Sequence, residues 1–358
     1  MSPRPDTPER EPSTDSASPG AEDVLPPAEP MSPGFLLQLF IVPLAMVTVI
    51  VMVWLMFSWI AHRGTTPERL VHHLNKNNDA SWQSALTLAD LLRNPDHGDL
   101  KHDAQLAGEL IDVLQAHMNA SDREAESIRL RMFVCRALGE FRVPEVLPML
   151  IRAAREERTS ADIDVRRAAL EALTVFAANN GTPSLRDNES LINALLVASR
   201  ERARDGEADL GRDELRSTAA FALGVVGGNE AIERLGFLLG DPCLNVRYNA
   251  AAALSRHGDV RALPVLLEML DPSNQEAARS EGNESAQVWK QVLVLRNGIR
   301  AAIQLVEKNP HADSAPIGKA LEALERADLK RFPVGARHTL RMDAEDALQQ
   351  IASRTGSL

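Results

Sequence analysis

The chain has 358 residues, 44% of them apolar but only 4% aromatic, and a formal net charge of −11. That length exceeds one ordinary domain and can bury a large core, and a core so poor in aromatics must be built from Ala, Leu, Val and Ile, which is a helical composition. The two cysteines, Cys135 and Cys243, lie far apart and form no CxxC pair, which argues against a disulfide framework or a structural zinc site.

Residues 1–33 hold nine prolines and seven acidic residues against Arg4 and Arg10, with almost no large apolar side chain. Such a segment cannot offset the entropy of folding, so an acidic, disordered tail is expected. Residues 34–62 follow as a transmembrane helix. Its central run, Phe35 to Ala61, is 27 residues without a charge. As a helix it is roughly 40 Å long against a hydrocarbon core of ~30 Å, so it spans with tilt. Trp54 and Trp59 suit the headgroup level near its end, and Pro43 is where a kink in the first turns is expected. The run is too long for a signal peptide and no basic segment precedes it, which favours an uncleaved anchor.

Flanking charge sets the expected orientation. No Lys or Arg occurs between Asp15 and Gly34, whereas Arg63, Arg69 and Lys76 follow the helix closely. The basic flank stays in the cytoplasm, so the expectation is a single-pass membrane protein with its large C-terminal domain cytoplasmic.

Residues 63–358 carry a repeat. Six arginines each follow an aliphatic residue, with a small or β-branched residue three positions later, alanine at the sixth and an aliphatic residue at the seventh. They are Arg131, Arg166, Arg216, Arg247, Arg296 and Arg341, with Ala137, Ala172, Ala222, Ala253, Ala302 and Ala347 at the sixth position. The offsets fall on one helical face, and small residues there let a neighbouring helix approach closely. Second apolar helices such as 143–156, 231–240 and 260–270 lie between the copies. The expected fold is all-α, an α-solenoid of about seven helix pairs running from near Thr66 to near Ser353, each pair a helix A and a helix B.

Residues 231–272, "AIERLGFLLGDPCLNVRYNAAAALSRHGDVRALPVLLEMLDP", resemble HEAT repeats of the phycobilisome-lyase HEAT-like type. They show an apolar first helix, an Asp-Pro turn and a VRxxAxxAL second helix. The resemblance extends more weakly over 127–353, and 66–120 fits as degenerate pairs. It implies a ladder in which a turn aspartate and the second-helix arginine link stacked repeats, and Asp241 and Arg247 match both positions. In the other units insertions or substitutions disturb the spacing, so a complete ladder is not expected. Independently, an arginine in the first turn of helix B can cover apolar surface with its stem and reach carboxylates or carbonyls of the next repeat, which gives all six a stacking role.

Because the helices alternate in direction, all A-to-B loops share one edge and all B-to-A loops the other. The long charged loops, 156–162, 204–213, 271–286 and 326–337, fall on the A-to-B edge, whereas the B-to-A links are mostly short. This makes Arg204, Asp205, Glu207, Asp209, Glu276, Arg279, Glu281 and Glu284 candidate residues for binding a protein partner.

No catalytic, cofactor-binding or metal-binding residue is assigned. His97 and His102 in "DHGDLKHD" straddle an expected helix start and read as a solvated loop, and HExxH, GxSxG and Gly-rich phosphate motifs do not occur. Iron-binding HEAT hydroxylases use His-Glu dipeptides, and none of the nine histidines here precedes a Glu. From residue 62 onward 37 Lys/Arg face 43 Asp/Glu, so no nucleic acid is expected. The favoured reading is a membrane-anchored, noncatalytic scaffold for a protein partner, needing no cofactor. The resemblance leaves as its alternative a bilin lyase-like chaperone or lyase subunit acting on a tetrapyrrole-binding protein.

Overall fold

A computed structural model describes residues 33–62, 67–74, 81–120, 124–181, 185–202, 210–279 and 281–355. It separates into two compact units, Met1–Gly64 and Thr65–Leu358. In the first, α1 (Pro33–His62) runs unbroken through Pro43 and is long and apolar enough to cross a membrane. Its side chains from Ile41 to Phe57 are exposed, Trp54 among them.

The second unit is a two-layer stack with no strand among its described residues. One layer holds the A helices α2 (Pro67–Leu74), α4 (Ala104–Ala120), α6 (Val146–Arg155), α8 (Glu189–Ala198), α10 (Asn229–Leu238), α12 (Leu263–Leu270) and α14 (Ala315–Arg326). The other holds the B helices α3 (Ser81–Arg93), α5 (Ala125–Gly139), α7 (Asp162–Asn180), α9 (Leu210–Val226), α11 (Leu244–Arg256), α13 (Glu284–Lys308) and α15 (Val334–Thr355). Each B helix packs on the next B helix and on its own A helix, which makes the seven pairs expected from the sequence.

The alanine stripe explains the close stacking. All six repeat alanines are at most 1% exposed, and the aliphatic residue before each arginine is at most 3% exposed. Where two B helices cross, even alanine is large. A Cβ placed on Gly224 of α9 would lie 2.3 Å from the Cβ of Ala253 of α11, and one on Gly139 of α5 would lie 2.7 Å from the backbone of Ala172 of α7. At these two crossings the B helices therefore approach so closely that only glycine fits.

Several helix starts lie earlier than the loop boundaries read from sequence. α9 begins at Leu210, so Asp213 and its neighbours belong to a first turn rather than to a loop. α13 begins at Glu284 because the Asn283 side chain accepts a hydrogen bond from the Ala286 amide at 2.9 Å, capping the helix. The 95–102 stretch is a short 3₁₀ helix, and Asp103, grouped with the histidines in sequence, caps α4 through the amides of Gln105 and Leu106. His97 and His102 both lie exposed beside it.

Candidate functional site

The repeated arginines form a ladder from one repeat to the next. Arg131 of α5 donates from Nη1 to Asp162 Oδ1 at the start of α7, at 2.7 Å. Arg166 of α7 reaches Glu201 Oε1 after α8 at 2.8 Å, and pairs with Glu157 as well. Arg216 of α9 forks onto Asp241 in the α10–α11 turn, Nε to Oδ2 and Nη2 to Oδ1, both at 3.2 Å. These three arginines are 4%, 2% and 0% exposed, so each guanidinium is withdrawn from solvent onto a carboxylate of the next repeat.

Asp241 and Arg247, which match the two ladder positions of the family, take different partners. Asp241 gives its carboxylate to Arg216 of the preceding repeat, to Arg202 and to the Cys243 amide. Arg247 instead donates to the Asp241 carbonyl at 3.1 Å and to Glu268 Oε2 at 3.2 Å. The turn acid thus clamps the arginine behind it. The ladder is also longer than the spacing suggested, because Glu201 and Asp162 substitute for the turn aspartate from shifted positions. It ends toward the C-terminus, where Arg296 pairs with Asp343 at 3.0 Å with half its side chain exposed, and among the described residues Arg341 makes only a 3.4 Å contact to the Ala327 carbonyl.

Beside the ladder lies a cluster that sequence reading missed. Arg212 and Arg166 share the two carboxylates Glu157 and Glu201, with Arg212 Nη1 at 2.6 Å from Glu157 Oε2 and 3.1 Å from Glu201 Oε2. Arg212 lies four residues before Arg216, so both fall on the buried face once α9 starts at Leu210; read as a loop residue, that signal vanishes. Burial pushes the Glu157 carboxyl up, but the bonds and charges of Arg212 and Arg166 outweigh it and hold the group below its usual range. Asp162 and Asp241 behave alike, with burial outweighed by backbone amides and by Arg131 or Arg216. Glu140, also missed, is buried on the opposite edge between Arg93 at 3.3 Å and Lys101 at 3.2 Å.

The partner-binding candidates divide. Arg204, Asp205, Glu207 and Asp209 lie outside the described residues. Glu276 and Arg279 line a concavity of about 610 Å³ on the A-to-B edge together with Arg247, Glu268 and Asp271. Glu281 and Glu284 lie outside that lining, Glu284 in the first turn of α13. The B-to-A edge is not featureless, because a larger concavity of about 760 Å³ sits there between Arg186, Glu189, Asn193 and Glu230. Among the described residues no group of three or more His, Cys, Asp or Glu is placed to hold a metal ion. Cys135 is sealed in the core, and burial pushes its thiol up to about 12 against the pull of Arg131 and Arg136, so it stays protonated.

Residues 208–285 match the model of the family described as HEAT repeats. The chain is 33% identical over 127 residues to phycocyanobilin lyase subunit alpha of Picosynechococcus sp., a match that covers 35% of this chain and 47% of that protein, about half its length. Human deoxyhypusine hydroxylase in complex with glycerol is similar at 20% identity and a TM-score of 0.30, over 80% of this chain and 96% of that one. Residues 208–285 are thus HEAT repeats, set within an array of paired helices that shares their buried alanine stripe.

Proposed function

We propose that this protein is a membrane-anchored, noncatalytic scaffold that binds a protein partner through the A-to-B edge and the B-helix face beside it. The observation that carries the reading is the ion-pair ladder. Buried arginines clamp successive repeats, so the array presents its surface at little ordering cost. On that stiffened edge the charged concavity at Arg247, Glu276 and Arg279 lies open. The apolar helix Pro33–His62 would confine the array to two dimensions and raise its concentration near membrane partners, and the basic residues that follow it favour a cytoplasmic solenoid.

Two experiments test this. Protease added to sealed cells leaves residues 64–358 intact if the solenoid is cytoplasmic, and digestion without lysis overturns the orientation. Affinity capture of the full chain from detergent-solubilised membranes tests the edge. Replacement of 204–209 and of 276–281 by Gly/Ser links is expected to reduce capture of the main partner while helical content holds. The replaced segments stop short of Leu210 because Arg212 and Asp213 make internal ion pairs.

The likeness to phycocyanobilin lyase subunit alpha favours one second reading, a chaperone-like lyase or lyase subunit acting on a tetrapyrrole-binding protein. A visible absorbance change when the protein is mixed with bilins, or a colour change in a candidate acceptor protein, would select it.

A further inference from the structure

On the exposed side of the B layer, α9, α11 and α13 enclose a groove of about 380 Å³ that differs from the edge concavities in charge. Its cations are Arg256, Lys290 and Arg300, and none of the three forms an ion pair with a carboxylate among the described residues. Its one carboxylate, Glu214, is neutralised by Arg167. The groove therefore carries about three uncompensated positive charges on a chain whose formal charge is −11.

Arg256 is the sharpest anomaly. Its guanidinium lies over the Phe221 ring at 5.7 Å, and Nη1 is sealed from solvent without a hydrogen-bond partner among the described residues. The residue is only partly buried, so the rest of the guanidinium can meet an anion that enters the groove, and such an anion would compensate a charge that no carboxylate among the described residues offsets. Burial alone pulls its pKa below the usual arginine value, with no carboxylate opposing it. The walls add amides and apolar surface. The Asn245, Asn297 and Gln304 side chains make no hydrogen bond among the described residues, Leu293 is 53% exposed, and Trp289 one turn before it is 54% exposed.

We propose that this groove binds an extended acidic segment of the partner protein, with its carboxylates on Arg256, Lys290 and Arg300 and its apolar side chains on Phe221 and Leu293. The inference rests on the scaffold reading and names the chemistry of the contact. Length favours a chain segment. Crossing three consecutive B helices spans two interaxial spacings, roughly 16 to 20 Å, which accommodates about six extended residues. Amides that both donate and accept suit an extended backbone.

The test uses the full-length chain in non-ionic detergent and a fluorescein-labelled eight-residue peptide, Glu-Leu-Glu-Ala repeated twice. Saturable binding that weakens between 50 and 300 mM salt is expected, with at least a tenfold loss in Arg256→Gln and a smaller loss in the exposed Arg300→Gln. Arg256→Gln is expected to melt no lower than wild type, because it removes a partly buried charge that no carboxylate pairs among the described residues. Wild-type peptide binding by both variants overturns the proposal. So does a lowered melting temperature in Arg256→Gln combined with wild-type binding by Arg300→Gln. Competition by inorganic phosphate as strong as by unlabelled peptide, or equal binding of a single-stranded oligonucleotide, also overturns it. If both variants still capture the partner from membranes while the loop replacements lose it, the groove assignment falls and the scaffold reading stands.

Discussion

Arg216 and Arg296 occupy the same position of the same repeat register, yet the fold treats them differently. Arg216 is fully buried and forks onto Asp241, whereas Arg296 lies half exposed beside Asp343. Both follow an invariantly buried aliphatic residue and precede a buried alanine, so helix packing does not distinguish them. The acid of the following repeat does. The α10–α11 turn returns Asp241 to the ladder, while the α14–α15 connection that follows Arg296 spends Asp328 on Lys330. The register thus sets where the arginine stands, and the next turn sets whether it is a clamp.

The largest expected effect breaks the strong side of this comparison. Arg216→Ala leaves Asp241 buried with less than its full set of partners, and loss of one member of such a pair costs about 3–5 kcal/mol. Urea unfolding of the full chain, followed by helical circular dichroism, should show a lowered midpoint and reduced cooperativity between repeats. A wild-type curve would remove the ladder from any role in stacking.

Acid sharpens the same contrast. Asp162, Asp241 and Glu157 all titrate below their ordinary values because amide bonds and arginines outweigh burial. A carboxyl whose folded pKa is depressed adds stability that is complete above its unfolded pKa, about 4, and is lost as pH falls through the folded value. Stability should therefore hold down to about pH 4 and decline below it. Asp241→Asn is expected to cost about 1–3 kcal/mol at neutral pH and to flatten the acid decline, because the titrating group is gone. An unchanged slope of stability against pH in that variant would count against Asp241 as a linked group.

Glycine at a helix crossing gives a smaller effect. Gly224→Ala places a methyl against Ala253, and overpacking of this kind costs about 1–3 kcal/mol; Ala253→Leu acts on the same contact from the other side. Equal unfolding midpoints for both variants and wild type would show that α9 and α11 can move apart freely.

These contacts also mark the limit of what the sequence discloses. The alanine and aliphatic offsets are periodic, local and tied to helix geometry, so the seven pairs and their buried face were legible from them. Arg212, Glu157 and Glu201 were not, because they meet through the stacking of separate repeats and share no periodic spacing. Which arginine meets Asp241 was not legible either. A motif puts Arg247 six residues away, but the clamp comes from Arg216, a full repeat earlier. Arg256 was legible only as the last basic residue of α11, since its anomaly is the lack of a partner in three dimensions.

The weak side of the comparison supplies the smallest expected effect. In Arg296→Ala the lost partner, Asp343, is partly exposed, so water can replace the guanidinium and leaves no buried charge behind. Exposed pairs contribute about 0–1 kcal/mol, and the change should fall in that range. Raising salt should shrink it further, since a Debye length of about 8 Å at physiological ionic strength already screens exposed charges, whereas the Arg216→Ala loss should change little. The ratio of the two losses is what the ladder account requires. If Arg296→Ala destabilises as much as Arg216→Ala and is equally insensitive to salt, then the arginine acts through its stem on the apolar stripe in every repeat, and the acid of the next turn is incidental.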